Sequence, residues 1–360
     1  MKLKKLFAGI LAVAMMATMA APAFAAGSES KKITETDAMT SISIAKDYAI
    51  TTEGSTAPSE TFQLKQVGKS YDEDKTSSKV TSNEQVPDLT FVTGKADNKI
   101  VAEVASDATD PEFTINLPTY NYVGVYTYTL EEVNNAVAGV DYQTEKFQLT
   151  VYAFQGSNGI YTYAVAHKLN DGTTKVTDVD NRYTAGTLTV KKEVSGELGE
   201  QDRLFHFTVT LTAPANKTVK SVLGVSADSS TGAVATTKKF DEGSSTLIIE
   251  FNLKHGDDVV ISNIPYDVTY TVKETATEGY TAKVNNSIVA ADTGVEGKIE
   301  KVATDTTVSA DADEITFNNV KEGSVDTGVI LDNAPYIALM MVVVAGAAVM
   351  IIKKRRHFED

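Results

Sequence analysis

Between its two ends this chain alternates apolar and polar residues in short runs rich in Val, Thr, Tyr and Phe, divided by clusters of Gly, Asn and Asp. Phe113-Thr-Ile-Asn-Leu117, Phe147-Gln-Leu-Thr-Val151, Phe205-His-Phe-Thr-Val-Thr-Leu211 and Leu247-Ile-Ile-Glu-Phe251 are clear instances. A period of two sends successive side chains to opposite faces of a strand, which no helix can reproduce. Strands at this spacing, broken by turn signals, predict an all-β chain of antiparallel sandwiches. Helical periodicity is confined to the two terminal segments.

Within this pattern a Lys, a Glu and an Asn fall on the apolar phase, twice and in the same order. The first set reads Ile42-x-Ile44-x-Lys46, Tyr126-x-Tyr128-x-Leu130-x-Glu132 and Val179-x-Asn181. The second reads Leu188-x-Val190-x-Lys192, Tyr270-x-Val272-x-Glu274 and Phe317-x-Asn319. Glu to Asn is 49 positions in one set and 45 in the other. Taken singly, such a Lys reads as an edge gatekeeper or a snorkelling side chain, and such a Glu as solvated. The repeated order favours inward placement, where an unpartnered charge would be costly.

Burial lowers the pKa of a lysine and raises that of a glutamic acid, because both charged forms lose solvation. A neutral Lys46 or Lys192 is then a nucleophile, and a protonated Glu132 or Glu274 can polarise the Asn carbonyl and shuttle protons. Attack of the amine on Asn181 or Asn319 would release ammonia and leave an amide between two strands. Fixed geometry supplies the effective molarity that a poor electrophile needs. One such event per domain is maturation and not turnover, so the chain is not expected to be an enzyme. There is no Cys, so an exported β protein would lack disulfides, and another covalent staple would serve the same end.

Other chemistry finds little footing. His167, His206, His255 and His357 are scattered, and no zinc-ligand spacing, phosphate loop or nucleophile elbow is present. Asp178/Asp180 and Asp311/Asp313/Glu314 lack EF-hand spacing. No metal or cofactor is expected. The formal net charge of -15 disfavours nucleic acid and anionic membrane surfaces as partners.

The ends address the chain. Lys2, Lys4 and Lys5, an apolar stretch from Leu6 to Met19, and Ala23-Phe24-Ala25 predict a signal peptide at 1–25. Residues 334–352 carry no charge and are followed by Lys353-Lys354-Arg355-Arg356, which predicts a membrane span with a cytoplasmic tail. Length and the repeated triplet predict sandwich domains at 31–184 and 186–321, joined closely around Tyr183 to Gly186 as an elongated rod. Upstream of the span, Ser324-Val325-Asp326-Thr327-Gly328 resembles the cell-wall sorting signals of Gram-positive bacteria, which usually have Pro where this chain has Asp326. In those signals a sortase, a membrane-bound cysteine transpeptidase, cuts the Thr-Gly bond. Residues 324–360 as a whole would be that signal.

Further stretches carry a family likeness. Gly186-Thr-Leu-Thr-Val-Lys-Lys-Glu-Val-Ser-Gly196, Gly124-Val-Tyr-Thr-Tyr-Thr-Leu-Glu-Glu132, Tyr270-Thr-Val-Lys-Glu274 and Ala334-Pro-Tyr-Ile-Ala-Leu339 resemble the sortase-assembled major pilins of Gram-positive bacteria, in particular the streptococcal two-domain type. The resemblance implies two immunoglobulin-like sandwiches with internal isopeptide bonds, Lys46–Asn181 with Glu132 and Lys192–Asn319 with Glu274. It also implies cleavage between Thr327 and Gly328 and transfer of Thr327 to a lysine of the next copy. Lys175 matches the acceptor position best, with Lys168 as the alternative. The implied partners are a sortase, other copies of the chain, peptidoglycan or a base pilin, and a tip adhesin. The implied location is the cell surface, wall-anchored after transient membrane retention. A monomeric wall-anchored adhesin built from the same sandwiches is the competing reading, because anchoring needs Thr327 but no acceptor lysine.

Overall fold

The computed structural model describes residues 32–170, 172–228, 234–290, 292–303, 308–310 and 312–323. The expected signal peptide, the sorting signal with Thr327 and Gly328, and the expected span lie outside the described residues. Among the described residues no helix is long and apolar enough to cross a membrane. Helical structure there amounts to 3-10 turns at Glu35–Asp37, Asn83–Gln85 and Ala96–Asn98.

The rest is strand and connection. The amino-terminal half holds β1 (Ser41–Ile50), β2 (Thr61–Tyr71), β3 (Ile100–Ala105), β4 (Glu112–Asn116), β5 (Gly124–Glu132), β6 (Val140–Asp141), β7 (Phe147–Gly156), β8 (Gly159–Lys168) and β9 (Asp178–Tyr183). These form a sheet ordered β4-β1-β9-β6 and a second ordered β3-β2-β5-β7-β8. Then follow β10 (Ala185–Ser195), β11 (Phe205–Thr212), β12 (Leu223–Asp228), β13 (Val234–Lys238), β14 (Thr246–Leu253), β15 (Asp258–Pro265) and β16 (Thr269–Glu274). The chain closes with β17 (Thr281–Val284), β18 (Ser287–Ile288), β19 (Val295–Lys298), β20 (Lys301–Ala303), β21 (Val308–Ala310) and β22 (Ala312–Val320). Here the sheets run β13-β12-β15-β10-β22-β17-β18 and β14-β11-β16-β19, with β20-β21 as a small ribbon.

The alternation in the sequence becomes the alternation of burial. Along β11, Phe205, Phe207, Val209 and Leu211 face inward while His206 faces solvent. Along β5, Tyr126, Tyr128 and Leu130 enter the first core. Their hydroxyls are satisfied: Tyr128 donates to the Pro87 carbonyl at 2.8 Å and Tyr126 to the Tyr122 carbonyl at 2.8 Å. These two tyrosines thus keep their apolar area without stranding their polar tips. Each pair of sheets closes on its own hydrophobic cluster.

Most strand pairs are antiparallel, but in each half the first strand pairs with the last in parallel. β1 lies beside β9 with Lys46 opposite Val179. β10 lies beside β22 with Lys192 opposite Phe317. A parallel neighbour cannot be reached by a tight hairpin, so the intervening strands form the rest of each sandwich before the chain returns.

The halves meet closely. β9 ends at Tyr183, β10 begins at Ala185, and Thr184 between them is fully buried. Gly139 sits at φ +81 against this join, where a Cβ would come within 2.6 Å of the Tyr183 ring and 3.0 Å of Pro265. Asn263 donates to the carbonyls of Thr56 and Val222. The Lys220 ammonium lies 2.9 Å from the buried Glu60 carboxylate.

Candidate functional site

All six residues singled out by their phase are buried, and the structure gathers them into two triads. Relative exposure is 4% for Lys46, 7% for Glu132 and 1% for Asn181, and 1%, 7% and 2% for Lys192, Glu274 and Asn319. The construction is the same in both. Asn181 lies two residues beyond Val179, the partner of Lys46, so it shares the face of Lys46 one diagonal step along. Asn319 stands in the same relation to Lys192, two residues beyond Phe317. Each Glu comes from the opposing sheet. Glu132 ends β5 opposite Leu64 of β2, and Glu274 ends β16 opposite Phe207 of β11.

Distances within the triads are short. Lys46 Nζ lies 3.6 Å from Glu132 Oε1, and Asn181 Nδ2 donates to the same oxygen at 2.9 Å. Lys192 Nζ lies 3.3 Å from Glu274 Oε2, and Asn319 Nδ2 donates to Glu274 Oε1. Lys46 also donates to the carbonyls of Val179 (2.9 Å) and Asp47 (3.0 Å), and Lys192 to that of Phe317 (3.4 Å). A phenylalanine ring lies under each ammonium, Phe62 in the first site and Phe205 in the second, both with centroids 4.3 Å from Nζ. These rings sit two residues before the residues that oppose the glutamates, so they are equivalent positions on β2 and β11. Sequence reasoning passed over Phe62, although its alternation with Leu64 marks it as inward.

Burial sets the electrostatics. It lowers the pKa of Lys46 to about 8 and that of Lys192 to about 8, against the opposing pull of Glu132 and Glu274. It raises both glutamates above the usual carboxylate range, with the lysines opposing. Burial therefore biases each Lys–Glu pair toward its neutral form, with the proton on Glu and a free amine on Lys. With the proton on Glu, the amine is a free nucleophile beside a carboxamide. In one respect the geometry differs from the sequence expectation. The carboxylate stands against the amide nitrogen of each Asn and not against its carbonyl oxygen, so it is placed to carry a proton from the attacking amine to the leaving nitrogen.

The lowered lysines have a measurable consequence before any bond forms. In a chain carrying Asn181→Ala and Asn319→Ala, the unfolded lysines bind protons up to about pH 10.5, while the folded ones release theirs near 8. Between those values the unfolded state holds more protons, so raising the pH favours folding. The urea midpoint of this variant should rise from pH 8 to pH 10, and adding Lys46→Met and Lys192→Met should flatten that rise. A midpoint that does not move in the first variant would mean that the lysines are charged in the fold.

Neither acceptor candidate belongs to a triad. Lys175 is exposed in the connection from β8 to β9, where His167 and Lys175 form an isolated bridge. Lys168, the last residue of β8, is exposed and lies 3.3 Å from the Glu145 carboxylate.

Comparison with known proteins places this architecture. A profile for a domain of unknown function (DUF7601) matches residues 186–321. A protein named Pilin from Streptococcus pyogenes serotype M1 is 34% identical over 245 residues, which are 66% of this chain and 69% of the relative. The crystal structure of the major pilin from Streptococcus pyogenes superposes with a TM-score of 0.50 at 22% identity, covering 79% of this chain and 99% of that structure. The structural match speaks for the fold and the 34% identical relative for kinship, and on that identity and coverage the chain belongs to the streptococcal pilin family.

Proposed function

We propose that the chain is the structural backbone subunit of a covalently polymerised cell-surface pilus. Two sandwich domains, 31–184 and 186–321, are each stapled by a self-catalysed isopeptide bond, Lys46–Asn181 with Glu132 and Lys192–Asn319 with Glu274. The observation that carries the stapling is the pair of buried triads with one geometry, in a chain of the pilin family. The amine attacks the Asn Cγ, the Glu carries a proton from the amine to Nδ2, and ammonia leaves. Because Lys and Asn sit on neighbouring first and last strands, each bond fastens the two ends of its sandwich, and tension along the chain bypasses most of the sheet.

Polymerisation uses the ends. A sortase cleaves between Thr327 and Gly328 and transfers the Thr327 carbonyl to an exposed lysine of the next copy. Lys175, exposed on the connection between β8 and β9, is the preferred acceptor, since it is the nearest match to the family's acceptor position shortly before the cross-linking Asn. The growing polymer is finally joined to peptidoglycan or a base pilin and carries an adhesin at its tip. The signal peptide exports the chain and the 334–352 segment retains it in the membrane until the sortase acts.

Intact mass tests the stapling. A recombinant chain from Lys32 to Lys321 should weigh two ammonia molecules less than its sequence, and Glu132→Ala and Glu274→Ala should each restore one. The full calculated mass in the parent would end the cross-linking reading.

A further inference from the structure

The two triads share their geometry but not their surroundings. In the first, the backbone N–H of Gln143, just beyond β6, is divided between two acceptors. It donates to Glu132 Oε2 at 2.8 Å and to Asn181 Oδ1 at 3.3 Å. In the second, Asn319 Oδ1 is buried with no hydrogen-bond partner among the described residues. Asn319 and Glu274 instead line a cavity of about 30 Å³, walled also by Ala282, Thr277, Asp292 and Thr293. Ala282 on β17 is the residue directly opposite Asn319.

We propose that the two sites polarise the asparagine carbonyl with different donors: the Gln143 N–H in the first, and a water molecule held in the cavity in the second. The proposal rests on the cross-linking reading above. When the lysine nitrogen bonds to Cγ, the carbonyl electron pair moves onto Oδ1. With the pair's proton already on Glu, the Glu gives that proton to Nδ2 and takes one from the attacking nitrogen, the Cγ–Nδ2 bond breaks, the carbonyl reforms, ammonia departs, and the Glu is left protonated. Oδ1 therefore carries its greatest charge midway, and a donor aimed at it lowers the barrier.

Gln143 is suited to that moment. In the resting site its N–H favours the Glu132 oxygen at 2.8 Å. Once the proton has passed from Lys46 to Glu132 the carboxyl has lost its charge, and attack then places charge on Asn181 Oδ1, so the better acceptor becomes the oxyanion. An interaction that strengthens only as the reaction proceeds is the kind that accelerates it. Among the described residues no N–H reaches Asn319 Oδ1 in the second site, and an oxyanion formed there without a donor would bear the full cost of its desolvation. The cavity has room for one or two water molecules, and the hydroxyls of Thr277 and Thr293 and the Asp292 carboxylate in its wall can hold them.

The test follows both bonds in one chain. Full-length protein is made by cell-free translation, stopped in denaturant at timed intervals and digested, and the cross-linked peptide of each site is quantified by mass spectrometry. Gln143→Pro removes the donor and should slow the first bond on the order of a hundredfold, with the second bond in the same molecules forming at the parent rate. Ala282→Leu fills the cavity and should slow the second bond alone. Ala282→Ser, which sets a hydroxyl donor beside Asn319, should form it faster than Ala282→Leu. The inference is overturned if Gln143→Pro leaves the first bond at the parent rate or slows both alike, or if Ala282→Leu leaves the second untouched. Should the parent form neither bond, the cross-linking reading falls, and this inference with it.

Discussion

The chain carrying Asn181→Ala and Asn319→Ala is expected to fold into the same sheets and to melt on the order of 15 °C below the parent. These substitutions remove the acyl groups and leave both Lys–Glu pairs in place, so they isolate the covalent contribution. Each bond would join β1 to β9 or β10 to β22 and close a loop spanning nearly a whole sandwich. By the chain-entropy argument, closing a loop of roughly 100 residues stabilises by about 4–5 kcal/mol. For domains of about this size, each kcal/mol moves the melting temperature by roughly 2–8 °C. The corresponding Glu132→Ala and Glu274→Ala variants should fall further, because they also leave a buried lysine without its counter-charge, a loss of about 3–5 kcal/mol when one partner of a buried pair is removed. Calorimetry on the three proteins checks the order parent, Asn variant, Glu variant. An Asn variant that melts with the parent would mean that no bond was there to lose.

The residues behind this order could be read from phase alone. Lys46, Glu132 and Asn181 continue the inward series of their strands, as do Lys192, Glu274 and Asn319, so their burial followed from the period of two. What the pattern could not carry was pairing. That β1 and β9 run side by side and parallel depends on how seven intervening strands close two sheets, and no residue in either strand announces its neighbour. The same holds for the side of the asparagine that the carboxylate meets: the glutamate was expected at the carbonyl oxygen, and it stands at the nitrogen. Gln143 was out of reach for a different reason. Its contribution is a backbone N–H, which every residue but proline owns, so nothing in its side chain marks the position. The cavity beside Asn319 is likewise a product of packing among Ala282, Val289 and their neighbours, small residues that an alternation count treats as filler.

Thr327→Ala should abolish the polymer outright on the cell that makes it, while Lys175→Ala should leave monomers still joined to the wall. The two outcomes differ because the threonine supplies the acyl group for every transfer, to a neighbouring subunit or to peptidoglycan, whereas the lysine is needed only to receive a neighbour. Surface extracts boiled in detergent resolve them: a ladder for the parent, no wall-linked species for Thr327→Ala, and a single wall-linked band for Lys175→Ala. Lys168→Ala should retain the ladder, since Lys175, exposed on the connection that follows β8, is the nearer match to the family's acceptor position. The reverse pattern would move the acceptor to Lys168 without touching the pilus reading. A parent that itself gives one wall-linked band would replace that reading with a monomeric anchored adhesin. The stapled sandwiches would then serve to hold a single stalk under load, because their chemistry lies wholly within one chain and does not depend on polymerisation.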